Sequence, residues 1–293
     1  MNNPVLKKEM RTSMRTWKTA AIITVYAMLL ASIPMVYMLF SSFDVNGGYS
    51  ADSLRTVFIS MVVFQLVLLS FVAPAMTTNS ISGEVQRGTI DLLVCTKMSS
   101  LDIVMGKLMA GMVKIFLLIV VSLPLFSVLS IFGGVETGVL LLLMFYYMII
   151  SILYGSIGIF TSAFFKKNSV STIVSYFIII SLNLGTLVVA TVSSEFYQLK
   201  VGVSTDIFLK ILYLNPFSGL FNVIDNMIGT DMNITQSSFI FTSYDTLIIN
   251  IVISILISVF LIKVTANKID PMKSIHNASS KKAKKIKRNV EKV

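Results

Sequence analysis

Residues 138–164 read GVLLLLMFYYMIISILYGSIGIFTSAF, 27 positions without one charged side chain. A helix of about 20 apolar residues crosses a hydrocarbon layer of ~30 Å. In lipid every backbone polar group must be paired internally, which a helix achieves within one segment. A barrel strand is about 10 residues long and alternates polar with apolar positions; this run is longer and does not alternate. The stretch predicts a transmembrane helix.

Working outward, five more stretches have the same character: residues 20–40, 54–76, 113–132, 170–192 and 246–264. Six spans are therefore expected. The whole chain agrees: 55% of its 293 residues are hydrophobic and only 13% charged, against about 25% charged in a soluble domain, and the mean hydropathy is +0.84. The fold class that follows is an all-α integral membrane protein. The single cysteine, Cys95, and the single histidine, His276, exclude an intrachain disulfide and nearly exclude histidine-dependent catalysis and zinc sites.

Charge placement sets the expected orientation. With the N-terminus inside, all but three of the 24 lysines and arginines fall on inner segments, the exceptions being Arg55, Lys200 and Lys210. Positive charge is retained on the cytoplasmic side, so both termini are expected there and the number of spans is even. Residues 207–228 are rejected as a seventh span because Lys210, Asn215-Pro216 and Asp225 interrupt them; a short helix or re-entrant segment on the outer face fits. The first span is too long an apolar run for a cleaved signal peptide.

Residues 1–19 contain Leu6, Met10, Met14 and Trp17 at helical spacing, with Lys7, Lys8, Arg11, Arg15 and Lys18 between them. This pattern suits a helix lying in the headgroup layer. Residues 20–265 form the transmembrane domain, with an inner segment at 77–107 and an outer one at 193–245. Residues 266–293 form a basic tail whose lysines attract anionic lipid. The tail lacks interleaved aromatics and a surrounding module, so nucleic acid is not an expected partner.

The inner segment at 77–107 is too long for a tight turn between neighbouring helices. Thr89 with Asp91, and Ser99 with Asp102, are helix-start signals, and Gly83 and Gly88 punctuate it. One or two short helices are expected here, forming a docking surface. Lys107 and Lys114 are expected to snorkel from the third span to the interface.

The sequence has no GxxxxGK[ST] loop, HExxH or GxSxG, so the chain is not expected to hydrolyse ATP alone. No acidic residue sits within a span as a proton relay would need. Gln65, Asn183 and Asn250 are the notable polar residues of the spans. Asn250, Ser254 and Ser258 share one helix face, and Ser151 and Gly155 form a small-xxx-small pair. These are read as interhelical hydrogen bonding and close packing, or as polar groups along a passage. Pro34, Pro74 and Pro124 stand inside predicted helices, and the 17 methionines give adaptable walls or ordinary packing.

The segments Asn3-Pro4-Val5-Leu6-Lys7-Lys8-Glu9-Met10-Arg11, Ile81-Ser82-Gly83-Glu84 through Arg87-Gly88-Thr89-Ile90-Asp91-Leu92-Leu93, and Ser99-Ser100 through Ile103-Val104-Met105-Gly106-Lys107-Leu108 stand before the first span, after the second and entering the third. In that order they resemble the type-two ATP-binding-cassette exporter permeases, as does Leu214-Asn215-Pro216-Phe217 more weakly. The resemblance implies a half-transporter fold with a connecting helix before the first span. It implies a coupling helix within residues 84–93 that docks on a separate ATPase subunit, with Glu84 as the acidic contact and Arg87, Gly88, Thr89, Asp91 and Leu92 nearby. It implies a second permease copy or paralogue, a pathway lined by the second and fifth spans with Gln65 and Asn183 as cavity residues, and ATP and Mg held by the partner rather than by this chain. One departure is visible: Val85 and Gln86 stand where many relatives have two charged residues after the glutamate.

A permease of an ATP-driven exporter is the leading expectation. A secondary transporter or channel, and a membrane immunity protein that sequesters a peptide, are the alternatives. The apolar spans favour a hydrophobic or amphipathic cargo, and a bacterial cell membrane is the expected location.

Overall fold

The computed structural model describes residues 17–41, 51–88, 99–201, 210–228 and 244–269. Among these residues there is no strand. The helices are α1 (Trp17–Ser41), α2 (Ala51–Thr77), α3 (Asn79–Arg87), α4 (Ser100–Gly133), α5 (Thr137–Phe164), α6 (Asn168–Ile180), α7 (Thr186–Val201), α8 (Pro216–Ile228) and α9 (Tyr244–Ile269). A π-turn, Ser181–Gly185, joins α6 to α7, and a 3-10 turn, Lys210–Leu214, precedes α8. Six helices are long and apolar enough to cross a membrane: α1, α2 with α3, α4, α5, α6 with its continuation, and α9. The protein is an all-α membrane protein, as the six apolar stretches predict.

The quoted stretch forms α5, the centre of the bundle. It packs against α2, α4, α6 and α9, and Tyr146, Tyr147, Ile150 and Tyr154 are completely buried. Around it, Phe58 of α2 meets Phe126 of α4 edge-to-face with ring centroids 5.7 Å apart, and the Tyr147 hydroxyl donates to the Val62 carbonyl at 2.8 Å. The peripheral helices behave differently. On α1, Tyr26 and Leu30 are buried while Val25, Met28, Met35, Val36 and Leu39 are exposed. Apolar side chains facing outward are what a lipid solvent permits.

Close helix approach occurs where glycines face Thr77. A Cβ at Gly158 would lie 2.0 Å from Thr77 Oγ1, and one at Gly111 would lie 2.9 Å from Thr77 Cγ2. Gly155, half of the small-residue pair noted in the sequence, lines the same contact. The ends of α2, α4 and α5 are thereby drawn together.

α8 has 13 residues, about 20 Å of helix, too short to cross. It does not form a seventh span, in agreement with the charges that interrupt it. Its start is built by Asn215-Pro216: proline occupies the first helical position, and the Asn215 side chain accepts from Phe217 N–H at 2.9 Å, as an N-cap does. Leu220, Val223 and Ile224 are buried in the main core.

α4 starts at Ser100, well before the apolar run at 113. At 34 residues it is about 50 Å long, so its first turns extend past a ~30 Å hydrocarbon layer. Ser99 caps the helix start: its Oγ accepts from Asp102 N–H at 3.2 Å and donates to Asp102 Oδ2 at 2.6 Å. The proposed headgroup helix, apart from its last residues, and the basic tail from 270 on lie outside the described residues.

Candidate functional site

The segment after the second span opens with α3, nine residues long and separated from α2 only by Thr78. Its apolar side, Ile81, meets Val104 and Leu108 of α4, Ile159 of α5 and Ala266 of α9. The starts of α4 and α6 and the ends of α5 and α9 therefore meet at one end of the bundle, with α3 wedged among them. Gln86, Arg87 and Gly88 are exposed at its far tip. Gly88 ends the helix in the left-handed region at φ 69°, where a side chain is disfavoured, and its N–H returns to the carbonyls of Glu84 and Val85.

Two sets of polar contacts fix α3. Residues at a helix start lack intrahelical partners for their N–H groups. Here Ser162, on α5, supplies its oxygen to one of them, 3.0 Å from Ile81 N, and also lies 2.8 Å from Ser82 N at the next position. Hydroxyls continue from there into α6: Thr78 and Thr172 side chains are 3.1 Å apart, and Ser82 Oγ lies 3.4 Å from Asn168 Oδ1. The second set is ionic. Lys107, on α4, donates to Glu84 Oε1 at 2.7 Å and to the Ser80 carbonyl at 2.8 Å. Lys107 is only 2% exposed, and Glu84 24%. The lysine does not snorkel, contrary to the expectation from its position. Two acceptors on α3 compensate the ammonium where it lies, and α3 itself covers it.

Around this tip the surface is cationic. Arg87, Lys166, Lys167, Lys263 and Lys268 are exposed, and Lys268 Nζ sits 5.3 Å from the Phe164 ring centre, a cation–π distance.

A family model described as "ABC-2 family transporter protein" matches residues 3–266. The chain belongs to the ABC-2 transporter family. It is a membrane-spanning permease of the ABC transporters, and the match takes in the first five spans, α3 and all but the last three residues of α9. No curated protein sequence matches it significantly.

The permease's expected site residues fall into three groups. Glu84, Arg87 and Gly88 come together on α3, the last two exposed and Glu84 paired inward. Thr89, Asp91 and Leu92 lie outside the described residues. Gln65, on α2, and Asn183, in the π-turn, are both buried within the protomer, at 0% and 6% exposure. Gln65 Nε2 donates to Ser122 Oγ at 3.0 Å, while its Oε1 has no partner.

Asn183 sits in the π-turn at the centre of a second polar assembly. Tyr154 donates to its Oδ1 at 3.0 Å, and Asn215 Nδ2 donates to its carbonyl at 2.7 Å. Asn250 Nδ2 in turn donates to the carbonyls of Tyr213 and Asn215 at 2.8 and 3.0 Å. Tyr146 donates to Asn250 Oδ1 at 2.9 Å and also reaches the Pro216 carbonyl. These bonds hold the 210–228 segment against α5, the π-turn and α9. Asn250, Ser254 and Ser258 do share a face, and that face is buried in the bundle.

Sequence reasoning did not foresee Ser162, Tyr146, Tyr154 or the ionic role of Lys107. Asn215 stands out in the sequence as an interruption of residues 207–228 and within Leu214-Asn215-Pro216-Phe217, not as an anchor. A polar residue inside an otherwise apolar run was the one available signal for each.

Proposed function

We propose that this permease is half of the membrane part of an ATP-driven exporter. A separate ABC ATPase subunit docks on the exposed tip of α3 and the residues after it, and a second copy or paralogue completes the pathway. ATP and Mg are held by the ATPase. The carrying observation is α3: a short helix with an exposed Gln86–Arg87–Gly88 tip, tied by Ser162 and Lys107 to the helices around it. A lever must be both accessible and rigidly attached, and α3 meets both needs. The cationic rim at this end supports placing it in the cytoplasm.

The pathway runs along the second and fifth spans. Phe71, Ile173, Phe177, Ile180 and Leu184 are large apolar side chains left uncovered by the protomer, a wall suited to a hydrophobic or amphipathic compound or peptide. Alternating access then follows from the ATPase binding two conformations of the permease with different affinity.

The test is purification of the tagged permease from its native membranes in mild detergent. A stoichiometric ABC ATPase that hydrolyses ATP, and that crosslinks to a cysteine at Arg87 in a Cys95→Ser background, supports the reading. A permease that elutes without an ATPase across several mild detergents returns the assignment to a secondary carrier or sequestering protein.

A further inference from the structure

We propose that Lys107 is a positioning residue for energy coupling: through Glu84 and Ser80 it locks α3 to α4, so that movement of α3 becomes movement of the third span. The inference rests on the exporter reading above and adds to it a residue and a route.

The geometry carries it. Ser80 and Glu84 are one helical turn apart on α3, and the Lys107 ammonium reaches both, at 2.8 and 2.7 Å. One cation thus spans a full turn of one face of the lever. A lysine near a membrane surface ordinarily keeps its ammonium in water and buries only its stem. Burying the charge is unfavourable unless it is paired and hydrogen-bonded, and at 2% exposure the arrangement persists because α3 supplies both acceptors. Before α3 in the chain, Thr78 alone separates it from α2. The neighbouring apolar contacts of Ile81 with Val104 and Leu108 are non-directional and tolerate sliding. The charged bonds fix the register of α3 on α4.

Glu84 accordingly acts inward. Its role here is to hold the lever, and Arg87 is an exposed charged group at the tip.

The experiment is hydrogen–deuterium exchange on the purified permease–ATPase complex, nucleotide-free and trapped with ATP and vanadate, for the wild type, Lys107→Met, Lys107→Arg and Glu84→Gln. Methionine keeps the apolar stem and removes the charge. In the wild type, trapping is expected to change exchange in both α3 and the first turns of α4. In Lys107→Met and Glu84→Gln the change in α3 persists while the change in α4 is lost, and Lys107→Arg restores it. In the permease alone, Lys107→Met is expected to raise α3 exchange roughly tenfold or more, as local opening does when a tie is lost. An α4 response in Lys107→Met equal to the wild type overturns the proposal. So does loss of the ATPase from the Lys107→Met complex, because Lys107 would then serve docking and not transmission. Absence of any ATPase from the wild-type preparation instead overturns the exporter reading, and the proposal with it; unchanged α3 exchange in the permease alone overturns the lock itself.

Discussion

Ser162 caps Ser82 across 80 residues of chain: its Oγ, on α5, accepts the Ser82 backbone N–H at 2.8 Å while also accepting that of Ile81. Helix starts normally recruit such an oxygen from the residue just before them. The local candidate here, Thr78, makes no side-chain capping bond to α3; its hydroxyl is turned toward Thr172.

Ser162→Ala is therefore expected to leave the buried Ile81 N–H without its acceptor and to take from Ser82 N–H the oxygen it shares with the helical bond to Thr78. Unpaired buried donors cost about 1–3 kcal/mol. The expected result is faster deuterium exchange across α3, with little effect on α1 or on the outer part of α5. Exchange in α3 that matches the wild type would show that the cap is dispensable.

The assembly around Asn183 yields a graded prediction. Asn215 makes two side-chain bonds, to the Asn183 carbonyl and from Phe217 N–H; the Tyr154 hydroxyl makes one, to Asn183. Hydrogen bonds inside membrane proteins average ~0.6 kcal/mol and reach about 1.7. Asn215→Ala is expected to cost about 1–3 kcal/mol and Tyr154→Phe under about 1. Thermal unfolding in detergent checks the order. Equal midpoints for the two variants would mean that Asn215 does not anchor the 210–228 segment.

The contrast between these features and the spans shows what the sequence carries. Lipid burial is a property of each residue's own composition, so residues 138–164 announce α5 with no knowledge of their neighbours. The same measure misplaces the start of α4, because Leu101 to Lys107 lie beyond the apolar run yet continue the helix. Lys107 shows the deeper limit: a lysine at a span's edge is soluble by default, and Ser80 and Glu84, brought in by the fold, help make its burial tolerable. The π-turn is similar. Such a turn disturbs the regular helical ladder and is often found at functional sites, and the Asn183 carbonyl takes its bond from Asn215, 32 positions away. Glu84, Arg87 and Gly88 were legible as a group through their resemblance to a family pattern, whereas the direction in which Glu84 points was not.

The orientation proposed from the cations can be measured directly. In a Cys95→Ser background, Lys166→Cys between α5 and α6 is expected to react with a membrane-impermeant maleimide only from the cytoplasmic side. Glu136→Cys, exposed at the opposite end of α5, is expected to react only from outside. The reverse pattern would place α3 outside the cell, where no ATPase can reach it.

Helix packing at Thr77 gives the last prediction. The Cβ of Gly158→Ala would sit 2.0 Å from Thr77 Oγ1 and 3.3 Å from Pro74 Cα. The hydroxyl is not free to swing away, because it donates to the Ala73 carbonyl at 3.0 Å, and Gly111 and Gly155 confine the methyl group. Overpacking of this kind costs about 1–3 kcal/mol. Thr77→Ala removes Oγ1 but keeps Cβ, so the double variant is expected to recover part of the loss, leaving the approaches to Thr77 Cβ at 3.1 Å and Pro74 Cα at 3.3 Å unrelieved. Contacting residues are where additivity fails, and the thermal midpoints of the two single variants and the double variant measure that failure. If the two losses simply add, Thr77 is not what holds α5 at its present distance from α2.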